Sequence, residues 1–179
     1  MDSQIFPRNG LCYLILESRS SAAILQKAYE IEPNPEWEYL FAQTEWEPYQ
    51  EQSPIVLQVR EDSDLYRWAR QGLQNDELSG LILDSSQGLR AVTDWARQRL
   101  SVQFDGGRRG LLRFYDPRIW HGLAPSAKGQ DNVITSVTYW YGETGHERWV
   151  TSDNPDPVTM GATPTLEPEQ WRALNSAPV

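Results

Sequence analysis

The run Leu11-Cys12-Tyr13-Leu14-Ile15-Leu16 is short and apolar, and it reads as a buried strand. Downstream of it, helical and strand patterns alternate. Ser20 or Ser21 can cap a helix to about Ile31, with Ile24, Ala28 and Ile31 on one face and Leu25 and Tyr29 beside it. Pro33 and Pro35 end that helix, and Glu36 to Phe41 then sets Trp37, Tyr39 and Phe41 against Glu36, Glu38 and Leu40, the spacing of a half-exposed strand. Pro54 introduces a third strand, Ile55 to Val59. Asp62 or Ser63 caps a helix carrying Leu65, Trp68, Ala69 and Leu73 at helical spacing. Leu78 to Leu83 is strand again, and Ser85 or Ser86 opens a helix with an apolar stripe of Leu89, Val92, Trp95, Ala96 and Leu100. Strands alternating with helices of this length predict an α/β fold with a mixed, largely parallel sheet flanked by helices.

Beyond Pro125 the texture changes. Ser126 to Asn132 is polar and loop-like. Val133 to Tyr141 is rich in β-branched and aromatic residues, Gly142 to Gly145 signals a turn, and Glu147 to Thr151 returns as a hairpin partner. Ser152 to Pro164 reads as an irregular arm, and Pro168 to Leu174 as one or two helical turns. The expected organisation is a lobe over residues 1–125, a C-terminal β-hairpin over 126–152 extending the same domain, and an arm with a short helix over 153–179.

The densest chemistry lies at Gly110-Leu111-Leu112-Arg113-Phe114-Tyr115-Asp116-Pro117-Arg118-Ile119-Trp120. It opens as a strand, with Leu112 and Phe114 on one face and Arg113 and Tyr115 on the other. Asp116 is suited to cap a helix that Pro117 can begin, since the first turn needs no N–H at that place. The architectural reading is that Arg113 and Arg118 neutralise Asp116 and neighbouring carboxylates while their stems cover the sheet edge.

Leu112-Arg113-Phe114-Tyr115-Asp116-Pro117-Arg118 resembles the signature of the type VI secretion effector chaperones, or adaptors, which escort a toxin to the VgrG spike. Gly80-Leu81-Ile82-Leu83-Asp84-Ser85 resembles that family's glycine-hydrophobic strand, and Leu40-Phe41-Ala42-Gln43-Thr44 and Ser53-Pro54-Ile55-Val56-Leu57 resemble further segments, so the likeness runs over about residues 11–124. It implies a non-enzymatic adaptor that needs no cofactor. Its partners would be a cognate toxin effector and VgrG, and it would stand as a monomer alone or in a heterocomplex with cargo. On this reading Trp120, Leu123, Trp140, Trp149, Arg108 and Arg109 carry effector or spike contacts, and Arg113, Tyr115, Asp116, Pro117 and Arg118 form the structural corner. The family commonly has a longer helical C-terminal lobe. The cargo contact is therefore expected on the α/β lobe, the hairpin and the arm, or else a second polypeptide or a dimer completes it.

A formal charge of −9 repels nucleic acid and anionic membrane, and it favours a basic partner or plain solubility. Glu30, Glu32, Glu36, Glu38, Glu45, Glu47 and Glu51 have only Lys27 nearby. A solvated face is the default for them. The alternative is a docking surface for a basic partner, anchored by Trp37 and Trp46. The N-terminus lacks a secretory pattern and no run has bilayer-spanning length, which predicts cytoplasmic residence. Cys12, the one cysteine, reads as a buried thiol.

Other chemistry is thinly signalled. His121 and His146 are the only histidines and no ligand spacing announces a metal. Ser85 or Ser86 with Asp116 and His121 makes a hydrolase triad on paper, but no Gly-x-Ser-x-Gly elbow holds the serine; Asp84 is a further candidate for a cleft enzyme. Gly106-Gly107-Arg108-Arg109-Gly110 precedes a strand, so a hairpin turn explains it better than a phosphate loop. An immunity protein that binds a toxin to neutralise it is the competing non-enzymatic reading.

Overall fold

The computed structural model describes residues 11–104, 107–123 and 133–153. The expected loop over 126–132 and nearly all of the arm over 153–179 lie outside the described residues. In chain order the elements are β1 (Leu11–Glu17), α1 (Ser21–Ile31), β2 (Glu36–Tyr39), a 3-10 helix (Glu47–Gln52), β3 (Ile55–Arg60), α2 (Asp64–Gln74), β4 (Ser79–Asp84), α3 (Leu89–Arg97), β5 (Ser101–Phe104), β6 (Arg108–Leu111), α4 (Pro117–Leu123), β7 (Ser136–Tyr141) and β8 (Arg148–Asp153).

Six strands form one sheet in the order β2-β3-β1-β4-β7-β8, and β5 with β6 form a separate two-stranded ribbon. Every strand pairing among the described residues is antiparallel, which corrects the expectation of a largely parallel sheet. The reason is an insertion. Strands β3 and β4 do run the same way and are joined through α2, as a crossover unit requires, but β1 lies between them and runs oppositely. The alternation of strand and helix records the crossover; it carries no trace of the strand placed in its middle.

The uniform apolarity of β1 also has another source. Leu14 pairs across to Leu57 and Ile82, and this set packs with Ile24 and Ala28 of α1 and Leu65, Ala69 and Leu73 of α2. Ile15 pairs across to Val56 and Leu81 on the opposite face, which packs with Val92, Trp95 and Ala96 of α3 and Trp120 and Leu123 of α4. Helices on both sides, rather than parallel neighbours, demand an apolar side chain at each position. The fold is thus three-layered, with the antiparallel sheet in the middle. Cys12 is buried, as its sequence setting predicts. The C-terminal hairpin β7–β8 joins the same sheet through β4.

Helix starts follow local chemistry. Ser20 caps α1 by accepting from the Ala23 N–H at 3.2 Å, and Ser63 caps α2 by accepting from the Tyr66 N–H at 3.2 Å. Ser63→Ala is expected to cost about 1 kcal/mol, read as a lower urea midpoint at unchanged m-value. The start of α3 differs from expectation. Gly88 is its N-cap, and Ser85 instead accepts from Gln87 N and donates to Val133 O, tying the end of β4 to the approach of β7.

At Gly80 the backbones of β1 and β4 approach closely: a Cβ there would lie 1.9 Å from the Ile15 carbonyl oxygen. The glycine of the Gly80-to-Ser85 run therefore has a packing role.

Candidate functional site

The ribbon β5–β6 delivers the chain to the charged corner. After Leu111 the strand stops, and Leu112 N donates to Leu100 O at 2.7 Å. Phe114 and Tyr115 lie in a turn closed by Asp116 N donating to Arg113 O at 3.0 Å. The expected strand through Tyr115 with an inside and an outside face is therefore corrected. Tyr115 is 2% exposed, because in a turn it follows Phe114 inward instead of alternating away from it. Phe114 is the hub of an aromatic cluster, edge-on to Trp95 at 6.0 Å, to Tyr115 at 5.5 Å and to Trp120 at 6.4 Å between centroids.

Asp116 caps α4, with one carboxylate oxygen accepting from Arg118 N at 2.9 Å. The same carboxylate takes Arg118 Nε at 3.2 Å and Nη2 at 2.9 Å in a two-pronged pair. Arg113 turns the other way and pairs with Glu17 at the end of β1. Both arginines are thus matched to carboxylates, as the architectural reading holds, but they serve opposite sides of the corner.

Each side opens on a concavity. The first, of about 290 Å³, is lined by Glu17, Phe41, Trp46, Tyr49, Gln52, Leu111, Arg113 and Tyr115. Phe41, Leu111 and Tyr115 supply apolar wall. Trp46, Tyr49 and Gln52 come from the 3-10 segment and its N-cap, which kinks at Tyr49 (φ −102°, ψ 26°), and the Trp46 and Tyr49 rings lie 6.5 Å apart between centroids. Trp46 is fixed by its indole N–H donating to Ser101 Oγ at 3.0 Å, while Tyr49 is 57% exposed. The second concavity, of about 400 Å³, brings Asp116, Pro117 and Arg118 together with Trp140, Tyr141 and Asp76.

Burial raises the Glu17 carboxyl above its usual range, and nearby Asp116 adds to this while Arg113 opposes it. Burial also raises the Tyr115 phenol, helped by the negative charge of Glu17. Because the folded chain holds the Glu17 proton more tightly than the unfolded one, this proton favours folding fully below pH ~4.5, and its contribution fades as pH rises through the folded value. The stability of Glu17→Gln relative to the parent chain should therefore climb across that window. Urea titrations at several pH values read it, and a difference that falls with rising pH would contradict the raised carboxyl.

Of the residues expected to touch a partner, Trp120 and Leu123 are both 0% exposed and belong to the core. This corrects their expected role, since a helix of seven residues packed on the sheet turns its apolar side inward. Trp140 and Trp149 are half-buried on facing positions of β7 and β8, edge-on at 5.2 Å, with the Arg70 guanidinium 4.4 Å from the Trp149 ring. Arg108 and Arg109 are exposed on β6, and Arg109 lies 3.5 Å from Glu45. The two tryptophans expected to anchor the acidic region separate. Trp46 lines the first groove, whereas Trp37 packs edge-on against Tyr39 at 4.9 Å and donates to Tyr29 Oη. Glu17, Phe41, Tyr49 and Gln52 are site residues that the sequence does not announce.

The members of the paper triad have separate partners: Ser85 bonds Val133 O, Asp116 holds Arg118, and His121 Nδ1 lies 3.0 Å from Tyr139 Oη. His121 also stacks on Tyr141 at 3.9 Å, and burial, then Arg148, lowers its pKa. Among the described residues no group of three or more His, Cys, Asp or Glu is placed to hold a metal ion, and no helix is long and apolar enough to cross a membrane.

Fold and corner together define a three-layer α/β domain with an ion-paired strand-to-helix joint between two grooves. Residues 12–131 match a domain of unknown function, DUF4123, and the chain belongs to that family. Comparison with curated proteins and with solved structures returns no match.

Proposed function

We propose that this chain is a non-enzymatic type VI secretion adaptor that binds a toxin effector and helps load it onto the VgrG spike. The observation that carries the reading is the run Leu112 to Arg118, which resembles the adaptor signature and falls inside the matched span. Its geometry suits a scaffold. The aromatic residues are sealed inside and the charged ones are matched in pairs, so the corner holds the two grooves in fixed relation. The separate partners of Ser85, Asp116 and His121 also favour binding over catalysis. The exposed Tyr49 and the half-buried Trp46, Trp140 and Trp149 offer the aromatic surface on which protein partners gain most of their affinity. With no nucleotide invoked, release of cargo depends on mass action.

Co-expression of the full chain with a candidate toxin effector and its VgrG tests the reading. An adaptor retains both through purification, an immunity protein retains the toxin alone, and retention of neither contradicts the proposal.

A further inference from the structure

We infer that the second groove, beside Asp116 and Arg118, takes a lysine or arginine side chain of the partner protein, laid against Trp140 and met by Asp76 and Glu147. The inference rests on the adaptor reading and specifies the chemistry of one of its contacts.

The groove lies where α2 ends, β4 and α4 begin, and β7 turns back toward β8. Its own lining sets its sign. Asp76, Asp116 and Glu147 stand against Arg118 alone, three carboxylates to one guanidinium, a net charge of −2. Arg118 is already engaged, because Asp116 accepts from both its Nε and its Nη2. Asp76 steadies the charge of Arg118 only from beyond ion-pair distance. Exposed Asp76 and Glu147 thus have no ion-pair partner among the described residues. One oxygen of Glu147 accepts the Gly145 N–H at 3.1 Å, which leaves the other for a partner. Helix α2 adds to the same sign. Its C-terminal end reaches the groove through Leu73 and Gln74, and its last turn carries no basic residue. The partial negative charge of a helix C-terminus favours a cation there.

The apolar part of the lining suits a long cationic side chain. Trp149 packs on the core beneath α1 and α2, and Tyr141 on the opposite core, where it stacks on His121 at 3.9 Å. Among the described residues half-buried Trp140 packs on neither core, and its ring contact is the edge-on one with Trp149. An indole beside uncompensated acid favours a cation through ion pairing and attraction to the ring face. The same hairpin already shows this arrangement, since Arg70 of α2 sits 4.4 Å from the Trp149 ring. A metal ion is the alternative cation, but among the described residues no group of three acids is placed to hold one. An acidic partner segment would meet repulsion from Asp76 and Glu147, so the groove selects by sign.

The test follows the tryptophan indole N–H signals of the isotope-labelled full chain by NMR as Nα-acetyl-arginine methylamide is added. The citrulline analogue, neutral and of nearly the same shape, is the control. Trp140→Phe identifies the Trp140 signal by its loss. That signal should shift saturably with the arginine compound at low salt and stay in place with the citrulline one. The D76N/E147K variant should weaken arginine binding about fivefold or more. Asparagine is chosen at position 76 because the φ of 59° there is a left-handed value that asparagine tolerates. A variant with the same change in charge on α1 and its C-terminal cap, E30Q/E32K, should leave affinity within about twofold, which separates a built groove from general attraction to an acidic protein. Equal loss in both charge variants, or equal shifts with both compounds, would overturn the inference. Co-purification with effector and VgrG is then scored on D76N/E147K and Trp140→Ala, and loss of a partner at a parent-like melting temperature is expected. Retention of both partners by both variants would sink the groove assignment while leaving the adaptor reading intact, whereas failure of the parent chain to retain them sinks the adaptor reading itself.

Discussion

Trp120→Ala is expected to destabilise the fold by about 3–5 kcal/mol, the range for emptying a buried large aromatic site. Trp120 is 0% exposed and lies 6.5 Å from Trp95 and 6.4 Å from Phe114 between ring centroids. The helix that carries it has seven residues, too few to stand without that packing. Its loss should therefore loosen the Asp116 cap and both grooves. A drop in melting temperature on the order of 10 °C is the expected result. Trp120→Phe gives a sharper comparison. The indole Nε1 finds no acceptor among the described residues, so phenylalanine keeps most of the ring while removing a buried donor that lacks a partner. Phenylalanine should cost far less than alanine. If alanine instead leaves stability unchanged and weakens a partner complex, the tryptophan is a contact residue after all.

The second large effect is at Gly80. Alanine there places its Cβ 1.9 Å from Ile15 O, and main chain cannot yield as a flexible side chain can. Strands β1 and β4 would have to separate at the Leu16–Gly80 pair, next to the centre of the sheet. We expect Gly80→Ala to cost about 1–3 kcal/mol or more, because overpacking displaces backbone and neighbouring core side chains together. Denaturant unfolding checks it. A neutral result would show that the two strands leave room for a methyl group.

These two positions also mark what the sequence can and cannot convey. Local rules place Ser20 and Ser63 at helix starts, Asp116 and Pro117 at the beginning of α4, and a reversal between β5 and β6, because each depends on a few adjacent residues. Strand order is not legible in the same way. The apolar run of β1 is equally required by parallel neighbours or by helices on both faces, and only tertiary pairing distinguishes the two. Trp120 shows the same limit at the site. A tryptophan two residues beyond the charged corner is expected as an anchor, yet the turn at Phe114 and Tyr115 sets α4 so that its ring faces the core. Tyr49 is hidden for the converse reason. Its neighbours Glu47, Pro48 and Glu51 suggest only a solvated loop, and the groove it borders is completed by residues from β1 and from the corner, distant in the chain.

If the signature run is an internal joint, partners meet the surface it organises rather than the run itself. Hydrogen–deuterium exchange of the full chain, alone and in complex with a co-purified toxin effector, addresses this directly. New protection is predicted over residues 45–52 and 111–115, with little change at 24–31, where Ile24 and Ala28 pack on the opposite face of the sheet. Protection confined to 24–31, with the groove exchanging as in the free chain, would contradict it.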